Sequence, residues 1–436
     1  MGNQILKSKF DDHQKFDDKM QCIAEYDYQS LETKYYEGQI WDHFTQKFII
    51  IKFQIQYIDN KEIRYIENGQ ILRIEQITNK QQAPEIIINL DQIKYLQWKG
   101  IYGNNMNKVG KWKAIWNGET LDNVTGWYSK IGEKQGLWME LIQKFSSQAQ
   151  VYEKGEYCNN FRRGRWNYIY GNQQIGGGYY SQNLNQKIRK WVEISDNFWR
   201  NSQILQNGEY INGKKVGLWD IYWRLEENGP FKLIGCGLYD ESQGLKNGLW
   251  YELSDKFWSN NQVIYYGEYK NNCKIGKWDI LWRLNQYCEF IRIGGGSYKQ
   301  VQGQKQGKWI ELNDQFSNEN QITFQGEYQN GMKIGHWETL FQNQQIGGGL
   351  FNEQNGLKKG KWIELDDNFQ SISQVTYCGE YNNGKKFGKW KIFQNDLQKK
   401  KKDLIGGGQY FELKGFKTGL WIDIIENFCR WNILTI

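Results

Sequence analysis

The chain has 436 residues with only two prolines against 47 glycines, 16% aromatic side chains and a net charge of +7. That many rings exclude an intrinsically disordered chain despite a mean hydropathy of −0.80, and glycine without proline points to many tight turns. The charge is too mild for so long a chain to indicate nucleic acid, and no apolar run reaches the roughly 18 residues of a membrane-spanning helix.

The first segment, 1–33, is charged and mixed, with one short helix expected around Asp11–Glu25 and no apolar core that would suggest a signal peptide. It opens Met1-Gly-Asn-Gln-Ile-Leu6, which resembles an N-myristoylation signal on Gly2, except that Leu6 stands where Ser or Thr belongs. Residues 34–98 read as a β-rich cap. Strands are expected at Phe48–Ile58, Glu62–Ile66, Gln70–Gln76 and Glu85–Leu90, with a hairpin turn at Asn68-Gly69.

From 99 to 429 the chain repeats. Twelve tryptophans form a comb: Trp112, Trp138, Trp166, Trp191, Trp219, Trp250, Trp278, Trp309, Trp337, Trp362, Trp390 and Trp421. Neighbours are 25 to 31 residues apart, but alternate teeth are more alike, so the unit is a doublet of 53 to 59 residues. The first type reads GEYINGKKVGLWDIYW at 208–223. The second reads GGGSYKQVQGQKQGKWIELNDQF at 294–316. Each unit is expected to be a β-hairpin: an aromatic strand ending in Tyr, a polar turn, and a strand opening on Gly-x-Trp. A helix would have to tolerate glycine triplets such as 294–296, at about 1 kcal/mol per glycine.

Hairpin register predicts that each Tyr–Trp couple stacks across its hairpin and that neighbouring hairpins extend the couple into a ladder. The glycine two before Trp is expected to give an indole room to lie over the backbone. Arg189 replaces it before Trp191 and is expected to mark a degenerate hairpin. Residues 430–436 follow the array as an apolar cap strand, or as an edge that pairs with another molecule.

Three side-chain columns run through the repeats. A basic residue lies two before the Gly-x-Trp position in every unit: Lys108, Lys134, Arg162, Lys187, Lys215, Lys246, Lys274, Lys305, Lys333, Lys358, Lys386 and Lys417. In a meander these turns share one edge, about 9.5 Å apart, close enough to act together on an anionic surface. Their stems are equally suited to packing over aromatic rings, and both readings can hold. An acid follows two after each second-type Trp: Glu140, Glu193, Glu252, Glu311, Glu364 and Asp423. These acids would form a stripe for cations or basic peptides, or pair with nearby lysines and turns; pairing is the favoured reading. A third column sets Asp196, Asp255, Asp314, Asp367 and Glu426 beside Phe145, Phe198, Phe257, Phe316, Phe369 and Phe428 at the opposite edge, where the rings are expected to anchor the turns.

No nucleophile elbow, phosphate loop or metalloprotease motif occurs. Seven scattered cysteines without a Cys-x-x-Cys, and three distant histidines, imply reduced thiols in a cytoplasmic protein, with no zinc site, other metal or cofactor. The chain is therefore expected not to be an enzyme.

The GEYxNGxKxGxW string resembles the MORN repeat, more closely its YwqK-like variant, over about 99–429. The resemblance implies an elongated antiparallel β-meander of about twelve hairpins, six doublets, each touching its neighbours. It also implies a non-catalytic scaffold that docks proteins, at membranes or the cytoskeleton, with the lysine edge as contact to anionic lipid. Two other functions fit: a module that stacks carbohydrate or peptide in an aromatic groove, and a YwqK-like inhibitor of a partner protein. Partner identity and oligomeric state stay open at this level.

Overall fold

The computed structural model describes residues 31–42, 47–59, 62–76, 86–104, 106–226, 229–301, 303–367, 369–370, 373–396, 401–411 and 415–424. Gly2, the helix expected at Asp11–Glu25, Glu426, Phe428 and the strand expected at 430–436 lie outside them. The chain divides into two units, Met1–Phe161 and Arg162–Ile436. Both are built of antiparallel strands, and among the described residues no helix is long and apolar enough to cross a membrane.

The first unit opens with a four-stranded sheet in chain order: β1 (Leu31–Asp42), β2 (Lys47–Ile58), β3 (Glu62–Glu67) and β4 (Gln70–Gln76). Strand β1 was not foreseen. The β3–β4 turn is as expected: Asn68 and Gly69 both hold positive φ, 48° and 81°, which the right-handed twist of a two-residue hairpin requires. The described part of the strand expected at Glu85–Leu90 forms no named strand: Asn89 makes only an isolated parallel bridge to Gln39, and helix α1 (Leu90–Tyr95) begins at the last of these residues. Asn89 caps it by accepting from the Gln92 N–H, and Leu90 and Ile93, three apart on one helical face, are buried with Phe53, Ile55, Ile63 and Tyr65. The Asn89 and Gln92 amides then donate to the carbonyls of Phe145 (2.9 Å) and Ile142 (2.8 Å), tying the helix to the first repeat loop.

The same unit continues into the repeats with β5 (Leu96–Tyr102), β6 (Lys108–Trp116), β7 (Glu119–Tyr128), β8 (Lys134–Leu141) and β9 (Val151–Cys158), each paired with its chain neighbour.

The second unit is one open meander from β10 (Phe161–Tyr170) to β28 (Lys417–Ile422). Each strand pairs only with its chain neighbours, and no register joins the first strand of this unit to its last among the described residues. The glycine triplets lie in strands, as at Ile291–Tyr298. Strands β12 (Lys187–Ile194), β13 (Gln203–Ile211), β14 (Lys214–Arg224), β15 (Lys232–Tyr239) and β16 (Lys246–Leu253) show the logic. Trp191 lies opposite Gly208 and Trp219 opposite Gly237, so Trp and Gly alternate along one row of one face.

Two classes of glycine support this row, and the role expected for the glycine two before Trp is corrected. The indole leans onto the glycine of the preceding strand: a Cβ on Gly208 would stand 2.2 Å from Trp219 Cδ2. The glycine two before Trp faces open space instead. Gly217 has φ +65°, and its equivalents in the other hairpins lie between +61° and +72°. That position needs left-handed backbone, not room for a ring. Arg189 holds φ +63° there, so its hairpin has the same turn as the others and is not degenerate; the arginine bears the strain.

Candidate functional site

The comb is a core. In the second unit an unbroken chain of ring contacts alternates Trp with Tyr or Phe from Trp166 to Trp421. The first unit has its own run from Tyr102 to Tyr157. The Tyr–Trp couples meet across their hairpins and form the expected ladder, but edge to face rather than stacked. Tyr239 and Trp250 have centroids 5.0 Å apart at 89°, and Trp250 and Tyr269 5.8 Å apart at 77°. Edge-to-face contact sets the positive rim of one ring against the negative face of the next. The indoles from Trp112 to Trp390 are only 1–7% exposed, too little to serve as a stacking platform. Their N–H groups donate mainly to backbone carbonyls, as Trp250 Nε1 does to Leu238 O at 3.2 Å.

The basic column folds over this ladder rather than projecting from it. Lys215 Nζ lies 3.9 Å above the Trp219 ring, Lys274 Nζ 4.1 Å above Trp278 and Arg162 Cζ 4.2 Å above Trp166. Lys108 covers Trp112 at 4.9 Å. The acid column meets the same lysines. Glu252 accepts from Lys246 of its own hairpin and, at 2.9 Å, from Lys274 of the next. The same two-lysine bridge recurs at Glu193 (Lys187, Lys215), Glu311 (Lys305, Lys333) and Glu364 (Lys358, Lys386). Lys134 pairs with Glu140 at 2.7 Å, and Lys417 pairs with Asp423.

A tyrosine completes each box, and the sequence reading missed it. Tyr210, Tyr328 and Tyr381 donate their hydroxyls at 2.8 Å to Glu193, Glu311 and Glu364, while Tyr269 reaches Glu252 at 3.0 Å. The signal was available, because the Tyr of every Gly-Glu-Tyr lies 17 residues after its glutamate. Burial pushes the Glu252 carboxyl up, but Lys274 and Lys246 outweigh it and hold the group below its usual range. Glu193, Glu311 and Glu364 behave alike. Burial raises the phenols in turn, Tyr239 and Tyr298 to about 12.

The third column anchors the loops at the other edge. Phe145, Phe198, Phe257, Phe316 and Phe369 are buried; Phe257 meets Trp223 edge-on at 5.5 Å. Successive loops also join one another: Asn197 Nδ2 donates to Asp255 O at 2.9 Å, Lys256 Nζ to Asp314 O, and Ser202 Oγ to Phe257 O at 2.6 Å. Asp196, Asp255, Asp314 and Asp367 are exposed.

Between the boxes and these loops runs a groove in the second unit. One cavity of about 290 Å³ lies against Asp196, Gln206, Glu252 and Asp255. The next, of about 350 Å³, shares Glu252–Asp255 with it and reaches Tyr265, Asn313 and Asp314. A third of about 290 Å³ repeats the first one doublet later, with Trp278, Glu311 and Asp314 in place of Trp219, Glu252 and Asp255. Among the described residues no group of three His, Cys, Asp or Glu side chains could hold a metal ion. Neither a scan of protein-family models nor a search of curated proteins returns a match to this chain.

Proposed function

We propose that this chain is a non-catalytic repeat scaffold of MORN-like type that docks other proteins along its hairpin array. The observation behind this reading is the mutual satisfaction of the reactive side chains. In the complete boxes Lys, Glu and Tyr bind one another over buried indoles, so the chemistry of each repeat is spent on holding the next repeat in register. What stays open to a partner is the loop-lined groove and the outer face of the sheet.

Stacking of sugar rings on the comb is disfavoured by the burial of the indoles. Contact with anionic lipid through the twelve basic residues is weakened, because ten of them are already paired with carboxylates; each complete box still keeps two cations for one carboxylate.

Cross-linking mass spectrometry of the full chain in its native cells tests the reading. The expected result is a reproducible protein set joined to groove and outer-face residues. A chain that cross-links to nothing, or that turns over a small molecule when purified, would overturn it. Flotation with vesicles containing phosphatidylserine, against neutral vesicles, addresses the lipid contact; equal binding to both would remove the lysines from it.

A further inference from the structure

We propose that copies of this chain join end to end, the free edge of β28 in one copy pairing antiparallel with the free edge of β5 in the next. Such pairing is independent of any docking of other proteins.

Among the described residues β28 is paired on one side only, and so is β5. An open strand edge is a template for pairing, and natural proteins blunt it with charge, proline or a polar cap. These two edges carry the reverse. On β28, Leu420 and Ile422 are 98% and 68% exposed, and Trp421 is half-buried where the other indoles of the comb are buried. On β5, Arg73 of the preceding sheet donates to the Leu96 carbonyl, but residues 99–102 are exposed and Ile101 is 69% exposed.

The two edges are the halves of a junction that the chain builds five times internally. Wherever a second-type hairpin meets the first-type hairpin after it, the register is the same. Trp138 lies opposite Gly155, Trp191 opposite Gly208, Trp250 opposite Gly267, Trp309 opposite Gly326 and Trp362 opposite Gly379. Strand β28 closes a second-type hairpin. Strand β5 opens a first-type one, with Gly100 under Trp112 as Gly208 is under Trp219. In the common register Trp421 falls opposite Gly100 and Leu420 opposite Ile101. The second pair sets this junction apart, because the internal junctions carry Glu156, Glu209, Glu268, Glu327 and Glu380 where β5 carries Ile101. The charge that would guard an edge strand is replaced by an apolar side chain, at the place where Leu420 can meet it.

The contents of the two ends also complete one another. Among the described residues the ring ladder begins on Tyr102 in the first unit and stops on Trp421 in the second, so joining them continues the alternation of Tyr and Trp. Asp423 is paired with Lys417 of its own hairpin. At the internal junctions the following hairpin adds a second lysine and a tyrosine, as Lys386 and Tyr381 do for Glu364. Tyr102 faces Lys108 across the β5–β6 hairpin as Tyr381 faces Lys386. The glycine, tyrosine and lysine that β28 lacks on its open side thus stand at this chain's own opposite end, which makes a second copy the occupant. A head-to-tail contact of this kind gives a ring where the rotation closes and a filament where it does not.

Sedimentation equilibrium of the full chain tests the pairing. We expect the weight-average mass to rise above the 52.0 kDa monomer between about 1 and 100 μM, the range of a small edge contact. Leu420→Lys with Ile101→Lys sets like charges opposite each other and should weaken association at least about tenfold. The melting curve should not change, because both side chains are exposed. Leu420→Lys with Ile101→Glu should restore association. Register is read by mixing Leu420→Cys chains with Ile101→Cys chains under oxidation, where mass spectrometry should find a disulfide joining positions 101 and 420 of different molecules. Leu420→Cys mixed with Tyr102→Cys, whose side chain belongs to the other face, should give none. A monomer throughout the range, association indifferent to the two lysines, or a link between two copies of position 420 in place of 101 to 420 would overturn the proposal. The scaffold reading falls separately, on the cross-linking result.

Discussion

The indole of Trp250 rests on the backbone of Gly237: a Cβ built on that glycine would stand 2.0 Å from Trp250 Cδ2. Gly248, two residues before the same tryptophan, has φ +72° and open space around it. The two glycines are therefore needed for different reasons and should fail differently. Gly237→Ala should cost about 3 kcal/mol by overpacking. Gly248→Ala should cost about 1–2 kcal/mol through left-handed strain. Urea unfolding separates the two mechanisms: adding Trp250→Leu should relieve the first substitution and leave the second unchanged.

Arg189 offers the converse experiment. It holds φ +63° where every equivalent residue is glycine, offset in part by its guanidinium 5.6 Å over Tyr179. Arg189→Gly should stabilise the second unit by about 0.5–1 kcal/mol, the left-handed strain removed less the entropy glycine adds to the unfolded chain. A lower urea midpoint in the variant would show that the ring contact outweighs the strain.

Trp278 is 2% exposed and touches Tyr269 and Tyr298 edge-on. Trp278→Ala should cost about 3–5 kcal/mol. A change near zero in the unfolding midpoint would mean that the comb contributes little to the fold.

The boxes impose a pH dependence. Glu193, Glu252, Glu311 and Glu364 all titrate below their ordinary 4.5 in the folded chain, where burial opposes ionisation and the paired lysines more than offset it. A carboxyl lowered on folding stabilises the fold above its unfolded value, and that contribution is lost as pH falls through the folded value. Stability should thus hold from neutral pH down to about 4.5 and fall below it. The urea midpoint as a function of pH checks this, and Glu252→Gln should flatten part of the acid limb.

Nearest-neighbour pairing predicts that a whole doublet can be removed. Deleting 238–296 joins Gly237 to Ser297, which then takes the place of its equivalent Leu238 one doublet earlier. The shortened chain should keep its strand circular dichroism and cooperative melt. Aggregation or loss of the melt would mean that contacts beyond neighbouring strands hold the array together.

The hairpin array was legible in the sequence because Tyr, Gly-x-Trp and the turn residues recur at fixed intervals, and register permits no slip once one face is aromatic. The lysine–glutamate pairing was half legible. The columns were visible, but their meeting depends on how far each side chain folds back over the ring beneath it. Helix α1 and β1 were not legible, since a six-residue helix and a mixed polar strand carry little periodic signal; a cap on Asn89 and burial against β2 and β3 settle the former.

Local chemistry, repeated, thus determined by itself the strands, their order and the aromatic face. The resting of each indole on the glycine of the preceding strand and the edge-to-face angle of the rings arise only when neighbouring strands are side by side. Each is a contact between residues on different strands, and pairing distance, twist and side-chain reach decide it, none of which one strand's sequence specifies alone.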